Sequence, residues 1–135
     1  MKSILLIDDD ADDCLFFSKA LEIISDYIVL YCEQDADHIL KTQGSYKPSL
    51  IFIDYYMPKI CGIDLLKQIK KHPGYNHIPV IMWSTSLLLN NVEEAYREGA
   101  QAFIQKPCTY RQFIIEIGAI LAQYGISFQP AHNTL

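Results

Sequence analysis

Three consecutive aspartates, Asp8, Asp9 and Asp10, follow directly on the apolar run "ILLI" (4 to 7). Another, Asp54, follows the apolar run "LIFI" (50 to 53). Neighbouring carboxylates at the end of a buried strand are unfavourable: two unit charges ~4 Å apart repel by about 4 kcal/mol at an effective dielectric near 20. A hard divalent ion with oxygen ligands offsets that repulsion. Mg²⁺ suits it best, because it accepts a few carboxylates and keeps waters that a phosphate can replace. Two further strand ends add complementary chemistry. Ser84, after "VIMW" (80 to 83), brings a hydroxyl that can donate to a phosphoryl oxygen, and Lys106, just before Pro107, brings an ammonium. Taken singly, each group also has a plain structural role: an acidic run or a serine caps a helix, and Lys-Pro is an ordinary loop. Together, an acid triad, a hydroxyl and a cation match what phosphoryl transfer needs.

These residues can act together only if the chain gathers them. Five short apolar runs, "SILLI" (3 to 7), "YIVLY" (27 to 31), "LIFI" (50 to 53), "VIMW" (80 to 83) and "AFI" (102 to 104), are mostly unbroken, as in parallel strands covered on both faces. Segments with apolar spacing of three and four lie between and after them: Cys14, Phe17, Leu21 and Ile24; Leu65, Leu66 and Ile69; Val92, Ala95, Tyr96 and Gly99; Phe113, Ile117, Leu121 and Tyr124. A further short helix is expected over about 35 to 42, stopping at Gly44. Thr109 with Gln112 has capping-box spacing, and Asn90 with Glu93 places an acid in a first helical turn. Five β-α units predict an α/β fold: an open, doubly wound parallel sheet in the order 2-1-3-4-5. In that order strands one and three are neighbours at the switch point, so Asp8, Asp9 and Asp54 converge at their carboxyl ends.

The composition narrows the function. The chain has 135 residues, 50% hydrophobic, and a net charge of -5 from 16 acids and 11 bases, which suits one domain and argues against nucleic acid as a partner. No run is long enough for a membrane span or a signal-peptide core, so a cytoplasmic protein is expected. Cys14, Cys32, Cys61 and Cys108 form no C-x-x-C pair, and four reduced thiols are the simplest expectation. Lys67, Lys70 and Lys71 read as a solvated helix face.

The stretches "ILLIDDD", "LIFIDYYMPKICGIDLL", "IPVIMWSTS" and "GAQAFIQKP" resemble, in order and spacing, the four signature stretches of the response regulator receiver domain of bacterial two-component signalling. The resemblance covers residues 2 to about 124 and includes the "D-x-x-M-P-x-x-x-G" pattern at Asp54, Met57, Pro58 and Gly62. It implies a flavodoxin-like receiver fold with five helices over 1–124 and a short tail over 125–135, with no output domain, as in a stand-alone chemotaxis-type regulator. It implies that Asp54 is the phosphoacceptor. Asp8, Asp9, Asp54 and the backbone carbonyl of Tyr56 would hold Mg²⁺ or Mn²⁺, Ser84 would contact the phosphoryl group, and Lys106 would pair with it across a cis bond to Pro107. Ser84 and Phe103 would form the switch. The implied partners are a sensor histidine kinase or a histidine phosphotransfer protein and a downstream protein target, with a homodimer through helix 4, strand 5 and helix 5 also open. Neither nucleic acid nor membrane is implied.

Some positions depart from the family pattern. Phe103 stands where a tyrosine is frequent, which removes a phenolic hydrogen bond. Tyr56, two past the acceptor, puts a ring where it would obstruct hydrolytic water, so slow dephosphorylation is expected. Thr85 is larger than the small residue common there. Other function classes remain open: a phosphate-insensitive interaction module, or a Mg²⁺-dependent aspartyl-phosphate phosphatase. The latter lacks a general acid two past the nucleophile, where Tyr56 stands. The expectation is a signalling phosphoacceptor, an enzyme only in catalysing its own phosphorylation and dephosphorylation.

Overall fold

A computed structural model describes residues 2–41, 46–107 and 109–126. The elements alternate strictly: β1 (Lys2–Ile7), α1 (Ala11–Ile24), β2 (Ile28–Glu33), α2 (Ala36–Lys41), β3 (Leu50–Asp54), α3 (Gly62–Lys71), β4 (Val80–Ser84), α4 (Leu89–Arg97), β5 (Ala102–Gln105) and α5 (Tyr110–Gln123). All strand pairs are parallel, in the order β2-β1-β3-β4-β5, as the alternation predicts. The stop expected at Gly44 and Cys108 both lie outside the described residues, as does most of the tail.

Two apolar layers cover the sheet. On one face α1 and α5 pack Phe17, Leu21, Ile24, Phe113, Ile117 and Leu121 against Leu6, Phe52 and Trp83. Phe17 is fully buried and touches the Phe52, Trp83 and Phe113 rings edge-on, at centroid distances of 5.1, 5.4 and 4.8 Å. Burial of one such side chain contributes about 1.5–3 kcal/mol, and each ring pair about 0.5–1.5 kcal/mol more. On the other face α2, α3 and α4 cover Ile7, Ile53, Met82 and Phe103. Asp10 caps α1 by accepting from the Asp12 amide at 2.8 Å, and Thr109 caps α5 by accepting from the Gln112 amide at 3.1 Å.

Three local expectations change. The fourth helix starts at Leu89 with Leu88 as an N-cap that makes no side-chain hydrogen bond, and its first turn carries no acid. The Asn90–Glu93 spacing is therefore not a cap: the chain turns helical one residue earlier, and both residues lie inside the helix. Strand β2 is only partly covered, because it is the sheet edge and has a single neighbour; Tyr31 and Cys32 are exposed, as is Tyr27 just before it. Lys70 is half-buried and donates to the Ile78 carbonyl at 3.2 Å, so it ties α3 to the approach to β4, where a solvated face was expected.

Gly62 opens α3 where the helix presses on the end of β3. Its amide donates to the Tyr55 carbonyl at 2.8 Å. A Cβ added there would collide with the Asp54 carbonyl oxygen and come within 2.8 Å of Tyr55 Cα, both backbone atoms that cannot swing aside. Gly62→Ala should therefore destabilise the fold by about 1–3 kcal/mol through overpacking. A urea midpoint equal to that of the parent would contradict this.

Candidate functional site

Backbone pairing continues past the strand ends and draws them together. The Asp8 amide donates to Glu33, the Tyr55 amide to Trp83 and the Lys106 amide to Ser84, at 3.1, 3.0 and 2.7 Å. Asp8, Asp54 and Ser84 are consequently buried, while Asp9 stays exposed. Asp8, Asp9 and Asp54 each offer a carboxylate oxygen, and these oxygens lie within 4.8 Å of one another. Asp8 Oδ1 accepts from the Asp10 amide at 2.9 Å, and Asp54 Oδ1 accepts from the Tyr56 amide at 3.3 Å.

Lys106 Nζ sits among these acids. It lies 3.1 Å from Asp8 Oδ2, 3.1 Å from Asp54 Oδ1 and 2.7 Å from Asp13 Oδ2, the last a direct hydrogen bond. Its ammonium also stands 5.0 Å from the centre of the Trp83 ring, a cation-π contact of about 0.5–2 kcal/mol. Burial works to lower the pKa of Lys106, but the Asp13 hydrogen bond and then the charges of Asp8 and Asp54 outweigh it and hold it above the ordinary lysine range. Lys106 is thus a fixed cation. The Lys106–Pro107 bond is trans, and no cis bond occurs among the described residues, which corrects the cis bond expected there. The trans form already delivers the ammonium to all three carboxylates, so nothing offsets the about 0.5–1 kcal/mol preference for trans.

The acids outnumber their cation. Burial first, and then the charge of Asp8, pushes the Asp54 carboxyl up to about 7. Burial also raises the Asp8 carboxyl above its usual range. Asp8 Oδ2 is buried, and among the described residues its neighbour is the Lys106 ammonium, 3.1 Å away. An all-oxygen acidic set that a single ammonium does not neutralise fits a hard divalent cation.

Ser84 Oγ accepts from the Ser86 amide at 3.3 Å. Phe103 turns inward and is buried, with its ring 5.8 Å from that of Tyr55. Tyr55 in turn meets Tyr56 edge-on at 4.8 Å, and the exposed Tyr56 hydroxyl accepts from Asn91 Nδ2 on α4 at 3.3 Å. On the α4, β5 and α5 side Tyr96 and Tyr110 are exposed, and Phe113 is core. Asp13, Trp83 and Asn91 belong to this end of the molecule, although their sequence neighbourhoods mark them only as helix or strand residues. Asp13 is the most readily inferred of these, since it lies in the first turn of α1, just after an acidic strand end.

The fold and the acidic cluster at its switch point define the class: a doubly wound α/β domain with an acid-and-lysine site at the carboxyl edge of its sheet. The profile of the response regulator receiver domain matches residues 4–117, and the chain belongs to that family. Over 126 residues it is 30% identical to the phosphate regulon transcriptional regulatory protein PhoB of Pseudomonas aeruginosa, covering 92% of this chain and 53% of that protein. It is 28% identical over 113 residues to the two-component response regulator ARR6 of Arabidopsis thaliana, covering 77% of this chain and 61% of that one. The chain spans about half the length of these curated relatives. The Mn²⁺-bound form of response regulator Rcp1 superposes with a TM-score of 0.78 at 23% identity, covering 97% of this chain and all of that one, a likeness of fold. Receiver domains are signalling phosphoacceptors that bind a divalent metal and interact with histidine kinases and downstream targets. Among the described residues no helix is long and apolar enough to cross a membrane.

The raised Asp54 carboxyl sets a sign for metal binding. A proton held below about pH 7 competes with a divalent ion, because a ligating carboxylate must be ionised. Mn²⁺ affinity should be full above that point and fall toward about tenfold per pH unit below it. Calorimetric titration from about pH 8 to about pH 6 checks this; an unchanged Kd would contradict proton competition at Asp54.

Proposed function

We propose that this domain is a phosphorylation-dependent switch in which Asp54 accepts a phosphoryl group from a sensor histidine kinase or a histidine phosphotransfer protein. The observation that carries the reading is the Asp54 carboxylate itself, 4% exposed at the carboxyl edge of the sheet and 3.1 Å from a lysine ammonium. Asp8, Asp9 and Asp54, with the backbone carbonyl of Tyr56, would hold Mg²⁺, which when bound neutralises phosphoryl oxygens. An Asp54 carboxylate oxygen attacks phosphorus, the bond to the donor imidazole nitrogen breaks, and its electron pair stays with the imidazole.

The product carries about two negative charges and three acceptor oxygens. Lys106, shared among three carboxylates at rest, then has a stronger partner at Asp54. The Ser84 hydroxyl gains an acceptor in the same place, and movement toward it pulls the β4–α4 connection. Phe103, already packed under Tyr55, fills the space that motion leaves, a two-state packing change biased by phosphorylation. Residues 1–124 form the receiver unit, which works in the cytoplasm by showing an altered face to a protein target. Tyr96 and Tyr110 support a partner or homodimer contact on the α4, β5 and α5 side. The exposed Tyr56 ring, whose hydroxyl accepts from Asn91, supports a role in hindering hydrolytic water and lengthening the phosphoryl lifetime.

Incubation with Mg²⁺ and acetyl phosphate should add one phosphoryl group by intact mass, and Asp54→Asn should abolish it. An unmodified parent protein that still folds would make the domain a phosphate-insensitive interaction module. Tyr56→Asn should lose its phosphoryl group several-fold faster than the parent after donor removal. An equal or slower loss would remove the shielding role of Tyr56.

A further inference from the structure

Two cysteines that the switch does not use stand against each other beside the acidic cluster. Cys32 lies on the edge strand β2, opposite Leu6 of β1 in the parallel register. Ile28 and Leu30, two and four residues earlier, pack into the α1 and α5 layer, so strand alternation turns Cys32 to that same side. Cys14, in the first turns of α1, is buried in that layer. Cys14 and Cys32 therefore enter the same layer as neighbours, and the nearby Cys14 thiol holds the Cys32 thiol below its ordinary range. Cys32 is exposed and meets solvent, whereas Cys14 is screened. Cys61 packs with the opposite layer, where its thiol donates to the Tyr55 carbonyl at 3.6 Å, so the sheet separates it from the pair.

We propose that Cys32 and Cys14 form a peroxide-driven, thiol-reversible disulfide that fastens the start of α1 to the end of β2. The exposed Cys32 sulfur attacks one oxygen of hydrogen peroxide; the O–O bond breaks, and the departing hydroxide leaves as water, giving a sulfenic acid on Cys32. The Cys14 sulfur then attacks the Cys32 sulfur. The S–O bond breaks, and the hydroxide leaves with the Cys14 proton as a second water. Two thiols are oxidised and one peroxide is reduced. A small thiol reverses the step by exchange, as expected for a bond that opens to solvent on one side. Cys14 Sγ also lies 3.7 Å from the Asp8 carbonyl oxygen, so the bond forms next to the backbone that carries Asp8. The inference does not rest on the phosphoacceptor role.

The test treats the whole chain with hydrogen peroxide, alkylates the remaining thiols under denaturing conditions and maps peptides without reduction. The expected result is that two of the four cysteines escape alkylation, a linked Cys14–Cys32 peptide pair appears, and dithiothreitol restores all four. Cys32→Ser, at an exposed position and checked for folding by circular dichroism, should lose the link, and Cys61→Ser should keep it. Over-oxidation of Cys32 to the sulfinic acid with Cys14 still alkylatable would overturn the proposal. So would a principal crosslink through Cys61 or Cys108.

Discussion

One ammonium holds the carboxyl edge of this sheet together. Lys106 Nζ is within ion-pair distance of Asp8, Asp13 and Asp54, which arrive from β1, α1 and β3, while the lysine itself follows β5. Without it, desolvated acids would face one another at close range, at a cost of several kcal/mol. With it, the edge is held yet short of positive charge, since the acids outnumber the lysine. That residual deficit is what makes the site receptive to a divalent ion.

The cation is placed by apolar as much as by polar means. Trp83, fully within the aromatic cluster of Phe17 and Phe113, presents its ring face to the ammonium. Among the described residues its buried indole nitrogen has no hydrogen-bond partner, which costs about 1–3 kcal/mol. The ring is therefore held there by packing, and the contact with Lys106 is the polar return on that placement. Core and site share this residue, and a change in the α1 and α5 layer reaches the acids through it.

Much of this was legible in the residues because strand ends are legible. Asp8, Asp54, Ser84 and Lys106 each follow an apolar run, and the parallel order that brings those ends together follows from the alternation of strand and helix periods. What escaped depends on helix rotation and edge position, which the periods do not carry. Asp13 reads as one of several acids beginning α1, and only the roll of that helix selects it as the third partner of Lys106. Cys14 and Cys32 are remote in sequence, yet the β1–β2 register and the α1 packing set them side by side. The β2 run reads as fully covered, but an edge strand has a neighbour on one side only. The Asn90–Glu93 signal lost to a chain that was already helical at Leu89, and the expected cis bond at Pro107 was unnecessary once the trans chain delivered its lysine.

The two layers over the sheet differ in stiffness. The α1 and α5 side is wedged with interlocking rings, whereas α4 buries only Ala95 fully, has no side-chain cap at its start and begins beside three exposed leucines, Leu87, Leu88 and Leu89. A mechanical load applied at the acidic rim therefore meets a rigid wall behind and a compliant flap in front. Displacement follows the softer path, and α4, tethered to Tyr56 by a single exposed hydrogen bond from Asn91, is the lever arm on that side of the molecule.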